Sequence, residues 1–201
     1  MTTVFIGGSR AVSRLTSVLK EKLDLLVARG DMILVGDANG ADKAVQQHLA
    51  EQDYTKVVVF CMERCRNNIG NWETSMLVGD GSRVKDFHYY AIKDKAMADR
   101  ATCGIMLWDG KSRGTLNNVQ NLLHDDKPVL VYLAPQKAFF KLTNQQELDQ
   151  LLQTCNAWHD STRDHRHHHK DHPRPTQLEL RASHSAATSS VPEMRQRRRS
   201  S

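Results

Sequence analysis

Apolar residues along this chain come in short bursts, and the stretches between them carry apolar positions at helical spacing. Residues 3–6 (Thr-Val-Phe-Ile) are β-branched and aromatic and stop at Gly7-Gly8, the pattern of a buried strand. Leu15, Leu19, Leu23 and Leu26 then recur at helical spacing, with Ser13 as the expected N-cap and Gly30 as the expected stop. Residues 32–35 predict a second strand and 41–53 a second helix, with Ala44, Val45, Leu49 and Ala50 on one side. Residues 56–61 predict a third strand. From Met62 to Asp86 the chain turns polar and loses its period, which predicts a long loop acting as a lid. Regularity returns with a helix over 89–101, a strand over 102–108, a helix over 115–123, a strand over 129–133 and a helix over 144–154.

Strands that alternate with helices and are apolar on both faces imply a parallel sheet covered on both sides. The expected fold is a doubly wound, mostly parallel five-stranded α/β sheet in residues 1–157, with strand order 3-2-1-4-5. In such sheets ligands bind beyond the carboxyl ends of the strands, where the strand order reverses. Three glycine-containing loops fall there: Gly7-Gly8-Ser9-Arg10, then Gly36 to Asp42 with Asp37 and Gly40, and Asp109 to Thr115 with Gly110, Ser112 and Gly114. Glycines let backbone N–H groups approach an anion, and helix N-termini add free donors and the positive end of a dipole. These loop residues are the expected ligand-binding set, and the expected ligand is a small phosphorylated, nucleotide-like molecule. Neither a G-x-G-x-x-G turn nor a P-loop is present, which disfavours hydride transfer and NTP hydrolysis. Arg66 and Trp72, in the polar loop, are the residues expected to close over the ligand.

The charge distribution divides the chain. Lys and Arg total 28 against 23 Asp and Glu, a formal charge of +5. From His159 onward there are nine basic and five acidic residues and seven of the ten His, with no aromatic residue. The remainder is nearly neutral. A segment so poor in apolar side chains does not offset its ordering entropy, so 158–201 is expected to be a disordered tail. Its Arg195-Gln196-Arg197-Arg198-Arg199 run allows weak nucleic-acid contact through counterion release, while nucleic acid is not expected at the domain itself. No apolar stretch reaches the ~18–20 residues of a membrane span, and no signal-peptide pattern opens the chain, so a cytoplasmic protein without a membrane partner is expected. A homo-oligomer is left open. Cys61, Cys65, Cys103 and Cys155 lack framework spacing and are expected to be reduced, with no metal and no cofactor.

At the three loops the sequence resembles the SLOG superfamily, in its YspA-like, YpsA-related branch. The resemblance rests on Val4-Phe5-Ile6-Gly7-Gly8-Ser9-Arg10, on Leu34 to Ala44 and on Asp109-Gly110-Lys111-Ser112-Arg113-Gly114-Thr115, and it spans most of the first 135 residues. Lys93-Asp94-Lys95-Ala96-Met97 stands, altered, where the branch carries Arg-Asn-x-x-Met. The resemblance implies a Rossmann-like domain that binds nucleotides or derivatives such as ADP-ribose or NAD-related signals. It leaves enzyme and sensor both open. Related LOG phosphoribohydrolases read Gly-Gly-x-Gly-Thr-x-x-Glu; here the stretch is Gly114-Thr115-Leu116-Asn117-Asn118, with Asn118 in the place of the carboxylate. A neutral amide neither traps nor charge-stabilises an oxocarbenium-like centre. Ribosyl-bond cleavage is therefore the alternative reading, with Asp37 and Asp109 as candidate catalytic acids, and Asp42 or Asp94 also able to substitute. A DNA-binding relative of the DprA type is a further alternative.

Overall fold

The computed structural model describes residues 2–79 and 87–155; the expected tail at 158–201 lies outside the described residues. In chain order the elements are β1 (Thr3–Gly8), α1 (Ser17–Arg29), β2 (Met32–Gly36), α2 (Ala41–Ala50), β3 (Val57–Met62), β4 (Glu73–Leu77), α3 (Phe87–Arg100), β5 (Cys103–Trp108), α4 (Arg113–His124), β6 (Val129–Leu133) and β7 (Ala138–Leu142). A last helix, α5, covers 145–155. One sheet holds all seven strands in the order β4-β3-β2-β1-β5-β6-β7. Every pairing is parallel except β6 with β7.

Alternate residues of each strand serve opposite cores. Phe5, Leu34, Val58, Phe60 and Met106 face one side, where Met97 and Ala98 of α3, Val119 and Leu122 of α4 and Leu148 and Leu151 of α5 cover them. Val4, Ile6, Ile33, Val35, Val59, Ile105 and Leu107 face the other, under Leu19, Leu23 and Leu26 of α1 and Val45 and Leu49 of α2. The chain winds outward from β1 through β2 to β3 and β4, then returns to the other side of β1 as β5. Strand order therefore reverses between β1 and β5, the place where the loops after both strands part and leave a crevice.

The expected order of the five inner strands and the doubly wound class hold, but the sheet has seven strands, not five. Both additions are edge strands. β7 follows β6 through a tight turn in which Lys137 takes φ 51°. β4 lies inside the stretch expected to be an unstructured lid. Because β3 and β4 are parallel, the chain must travel back along the sheet between them, and residues 63–72 are that crossover made without a helix. Two helix starts also differ from expectation. Thr16, not Ser13, caps α1 by accepting from the Leu19 N–H, and Ser112 caps α4, with Thr115 as the residue whose N–H it receives.

Leu122 is fully buried in the α4-side core and Leu25 is 55% exposed on α1. Leu122→Ala is expected to lower the unfolding free energy by about 2–5 kcal/mol in urea melts, whereas Leu25→Ala shifts it by no more than about 0.5 kcal/mol.

Candidate functional site

The loops after β1 and β5 are tied together before any ligand is considered. A Cβ at Gly8 would stand 2.3 Å from the Leu107 carbonyl and 2.9 Å from the Ala41 Cβ, so only glycine lets β1, β5 and the start of α2 approach this closely. Ser9 is buried; its N–H donates to the Leu107 carbonyl at 2.8 Å and its hydroxyl to Asp109 Oδ1 at 2.9 Å. The same Oδ1 accepts from the N–H groups of Lys111 (3.0 Å) and Ser112 (2.8 Å). Burial raises the Asp109 pKa, but these backbone and hydroxyl donors outweigh it and hold the carboxyl below its ordinary value. Thr115 Oγ1 bonds Ser112 Oγ at 3.0 Å and lies 3.2 Å from Ser9 Oγ. Asp109 and Ser9 thus shape the loop and hold the N-terminus of α4.

The cleft beside this junction is a cavity of about 660 Å³ lined, among others, by Gly7, Gly8, Arg10, Asp42, Ser112 and Gly114. Thr115, Asp109 and Arg66 also line it. Of the other expected site residues, Ser9 lies behind the wall. Gly40, with φ 87°, packs its α-carbon against the backbone of Arg10, where a Cβ would come within 2.4 Å. Gly110, also at positive φ (79°), turns the loop after β5. Gly36 lies beneath the charged floor: a Cβ there would meet Asp42 Oδ2 at 2.4 Å and Lys93 Nζ at 2.8 Å.

That floor was only partly foreseen. Lys93 is buried and its ammonium donates to Asp94 Oδ1 at 2.9 Å. Burial works against the ammonium, but the Asp94 and Asp42 carboxylates outweigh it and raise its pKa. Asp42, in the first turn of α2, accepts from the Ala38 N–H at 3.2 Å. Burial pushes its carboxyl up to about 6, with Asp94 and Asp37 adding to the shift and Lys93 opposing it. Asp94, which the spacing alone fits to an exposed helix face, lines the cavity instead. So does Asn118, which is buried and whose Oδ1 has no hydrogen-bond partner among the described residues. Tyr90 and Met97, from the same side of α3, complete this part of the lining. A lysine set among Ala91, Ile92, Ala96 and Met97 on one helix is the sequence signal that could have found this floor.

The crossover supplies the third wall. Asp37, buried, receives the Arg66 guanidinium at 2.6 and 3.0 Å and the Arg66 N–H at 3.1 Å. Burial raises the Asp37 pKa, but Arg66 outweighs it and holds the carboxyl ionised below its ordinary range. The Arg66 guanidinium lies 5.0 Å from the centre of the Tyr90 ring. Trp72 does not join it: its indole N–H donates to the Tyr54 carbonyl at 2.7 Å and its ring packs on the α2-side core. The pairing of Trp72 with Arg66 as a lid is therefore corrected; Trp72 anchors the crossover, and Arg66 belongs to the cavity wall. The expectation of reduced cysteines is also corrected for Cys61 and Cys65, which are joined by a disulfide with Cα atoms 4.9 Å apart, while Cys103 and Cys155 are free thiols. Asp37, Cys61 and Cys65 bring potential ligand atoms within 4.8 Å of one another, but both sulfurs are committed to the bond.

Fold and cleft together define a Rossmann-like α/β domain with a helix N-terminus and a charged floor at its switch point. No protein-family model and no curated protein matches the chain. Among solved structures it is similar to DNA processing protein A from Helicobacter pylori, a protein described by its mode of single-stranded DNA binding, at 18% identity and a TM-score of 0.47. That similarity takes in 65% of this chain and 64% of the other, so the chain spans less than two thirds of its neighbour's length. No helix among the described residues is long and apolar enough to cross a membrane.

The raised Asp42 carboxyl makes stability fall as pH rises. Below its ordinary value of 3.8 it is protonated in both states; between 3.8 and about 6 only the folded form keeps the proton, and above about 6 the folded form carries the full penalty. Asp42→Asn is therefore expected to be neutral near about pH 3 and to stabilise by on the order of 2–3 kcal/mol at about pH 7.5. Denaturant titrations at the two pH values measure the difference.

Proposed function

We propose that the chain binds a nucleotide or nucleotide-derived small molecule of the ADP-ribose, NAD-derivative or nucleoside monophosphate class in the switch-point cleft. The observation that carries this reading is Asn118: a buried side-chain acceptor without a hydrogen-bond partner among the described residues, on the floor of a cavity walled by an ordered helix N-terminus. An unmet buried acceptor costs about 1–3 kcal/mol, and a ribose hydroxyl reaching the floor supplies the missing donor. The phosphate is placed at the first turn of α4, where N–H groups lack intrahelical acceptors and the dipole favours an anion. Arg10 adds a cation on the same cleft. Tyr90 offers a face for a base. The resemblance of the three loops to the SLOG superfamily supports the same ligand class.

Ribosyl-bond cleavage or transfer is the second reading, and one observation favours it. Asp42, titrating at about 6, lies on the same floor as Asp94, so the cleft holds a carboxyl in the range useful for general acid–base chemistry. The two acids favoured on sequence grounds fit this role less well. Asp37 is held by Arg66 and Asp109 by the loop it organises, and both are kept ionised.

Single-stranded DNA, the ligand of the solved neighbour, would present phosphate and base to the same features and is the comparison ligand for the test. A Cβ at Gly114 meets nothing within 4 Å, so Gly114→Val leaves the fold room while placing a branched side chain in the cleft. Calorimetry is expected to show ADP-ribose binding by the wild-type chain and at least about a tenfold loss in Gly114→Val, with unchanged circular dichroism. Equal affinity in the folded variant rejects the site. Release of free base from AMP or NAD moves the reading to the enzyme, and an oligonucleotide that binds while ADP-ribose does not moves it to DNA.

A further inference from the structure

We propose that Cys61 and Cys65 form a thiol–disulfide exchange site that sets the ligand affinity of the cleft by fixing Arg66, an inference that rests on the binding reading above. Cys61 lies in the buried end of β3 and Cys65 is half-buried in the crossover, so their bond ties the start of the crossover to the sheet. Arg66 is the next residue. Its backbone N–H and its guanidinium both reach Asp37, and its guanidinium lies over Tyr90 on the cavity wall. Asn67 follows, donating to the Asp37 carbonyl at 2.7 Å, and the Ile69 N–H donates to Gln46 Oε1 at 3.0 Å. With the bond open, the start of the crossover is held mainly by these polar contacts, and its arginine is one-third exposed.

Burial places the two sulfurs in different roles. Cys61 is fully buried, so the half-buried Cys65 is the entry point. Its thiolate attacks a small disulfide such as glutathione disulfide, forming a mixed disulfide and releasing one thiolate; the Cys61 thiolate then attacks Cys65 Sγ and expels the second. Two electrons pass to the incoming disulfide, and the two protons of the cysteine pair end on the released thiols. A dithiol runs the sequence in reverse. The ionised Asp37 carboxylate, within 4.8 Å of both sulfurs, disfavours a thiolate beside it and so slows exchange in either direction.

The test uses the full chain equilibrated with glutathione disulfide or with dithiothreitol, thiols being counted by alkylation and mass. ADP-ribose affinity is measured in each state together with hydrogen exchange of the Arg66 and Ile69 amides. The oxidised form is expected to bind about tenfold more tightly and to protect both amides better. Cys65→Ser, chosen because its side chain is less buried than that of Cys61, should match the reduced form in both buffers. Four alkylated thiols under oxidising conditions overturn the proposal, as does equal affinity in the two states. If ADP-ribose binds in neither state, the binding reading fails by itself. Exchange at Arg66 and Ile69 then decides for the redox contact if it quickens on reduction and against it if it does not.

Discussion

The cleft depends on one carboxylate that never needs to touch a ligand. Asp109 gathers the Ser9 hydroxyl and the Lys111 and Ser112 N–H groups on a single oxygen, so the loops after β1 and β5 cannot separate without leaving a half-buried charge short of donors. A charged acceptor makes each of these bonds stronger than its neutral counterpart. The cap of α4 follows from it, because Ser112 is held where its hydroxyl meets the Thr115 N–H. The close approach at Gly8 follows as well. A helix N-terminus can attract an anion only if it is held still, and this carboxylate holds it.

The floor obeys a different rule. Asp42, Lys93 and Asp94 place one cation between two acids in a largely buried setting, and the strain of that arrangement falls on Asp42, whose proton returns near pH 6. A buried ionic group of this kind is weak evidence for stability. Its position under the cavity, beside the unmet Asn118 acceptor, accords with a site that gives up stability in return for polarity. The wall formed by Arg66 and Asp37 is the opposite case, a fork of parallel hydrogen bonds in which both groups stay charged.

Much of this was legible in the chain. The inner strands announced themselves as short β-branched runs such as Val57-Val58-Val59, and the glycine loops fell where a parallel sheet has its ligand edge. β4 was hidden because Glu73-Thr74-Ser75-Met76-Leu77 is an edge strand with little burial, so it carries neither alternation nor an apolar run. β7 was hidden because Ala138-Phe139-Phe140-Lys141-Leu142 is an edge strand that is mostly only half-buried, although Phe139-Phe140 was a usable sign. Asn118 was noticed through the residue it replaces, but its unmet oxygen depends on what surrounds it in space. Trp72 misled because an aromatic in a polar loop looks alike whether it covers a ligand or grips a core, and only the Tyr54 carbonyl decides between them. The cysteine pair misled because a three-residue gap is no known framework; the turn at Glu63, with φ 49°, is what brings the sulfurs together.

The crossover from β3 to β4 has a thermal consequence. A helix in that place would have satisfied its own backbone and buried an apolar stripe; this segment instead leans on the side chains of Asn67, Asn68 and Gln46 for its hydrogen bonds. Segments with few buried apolar contacts open at lower free energy than the sheet they cross. One wall of the cleft is thus built from a segment that opens more readily than the sheet, so a rise in temperature reaches the ligand's enclosure while the strands beneath it are still intact.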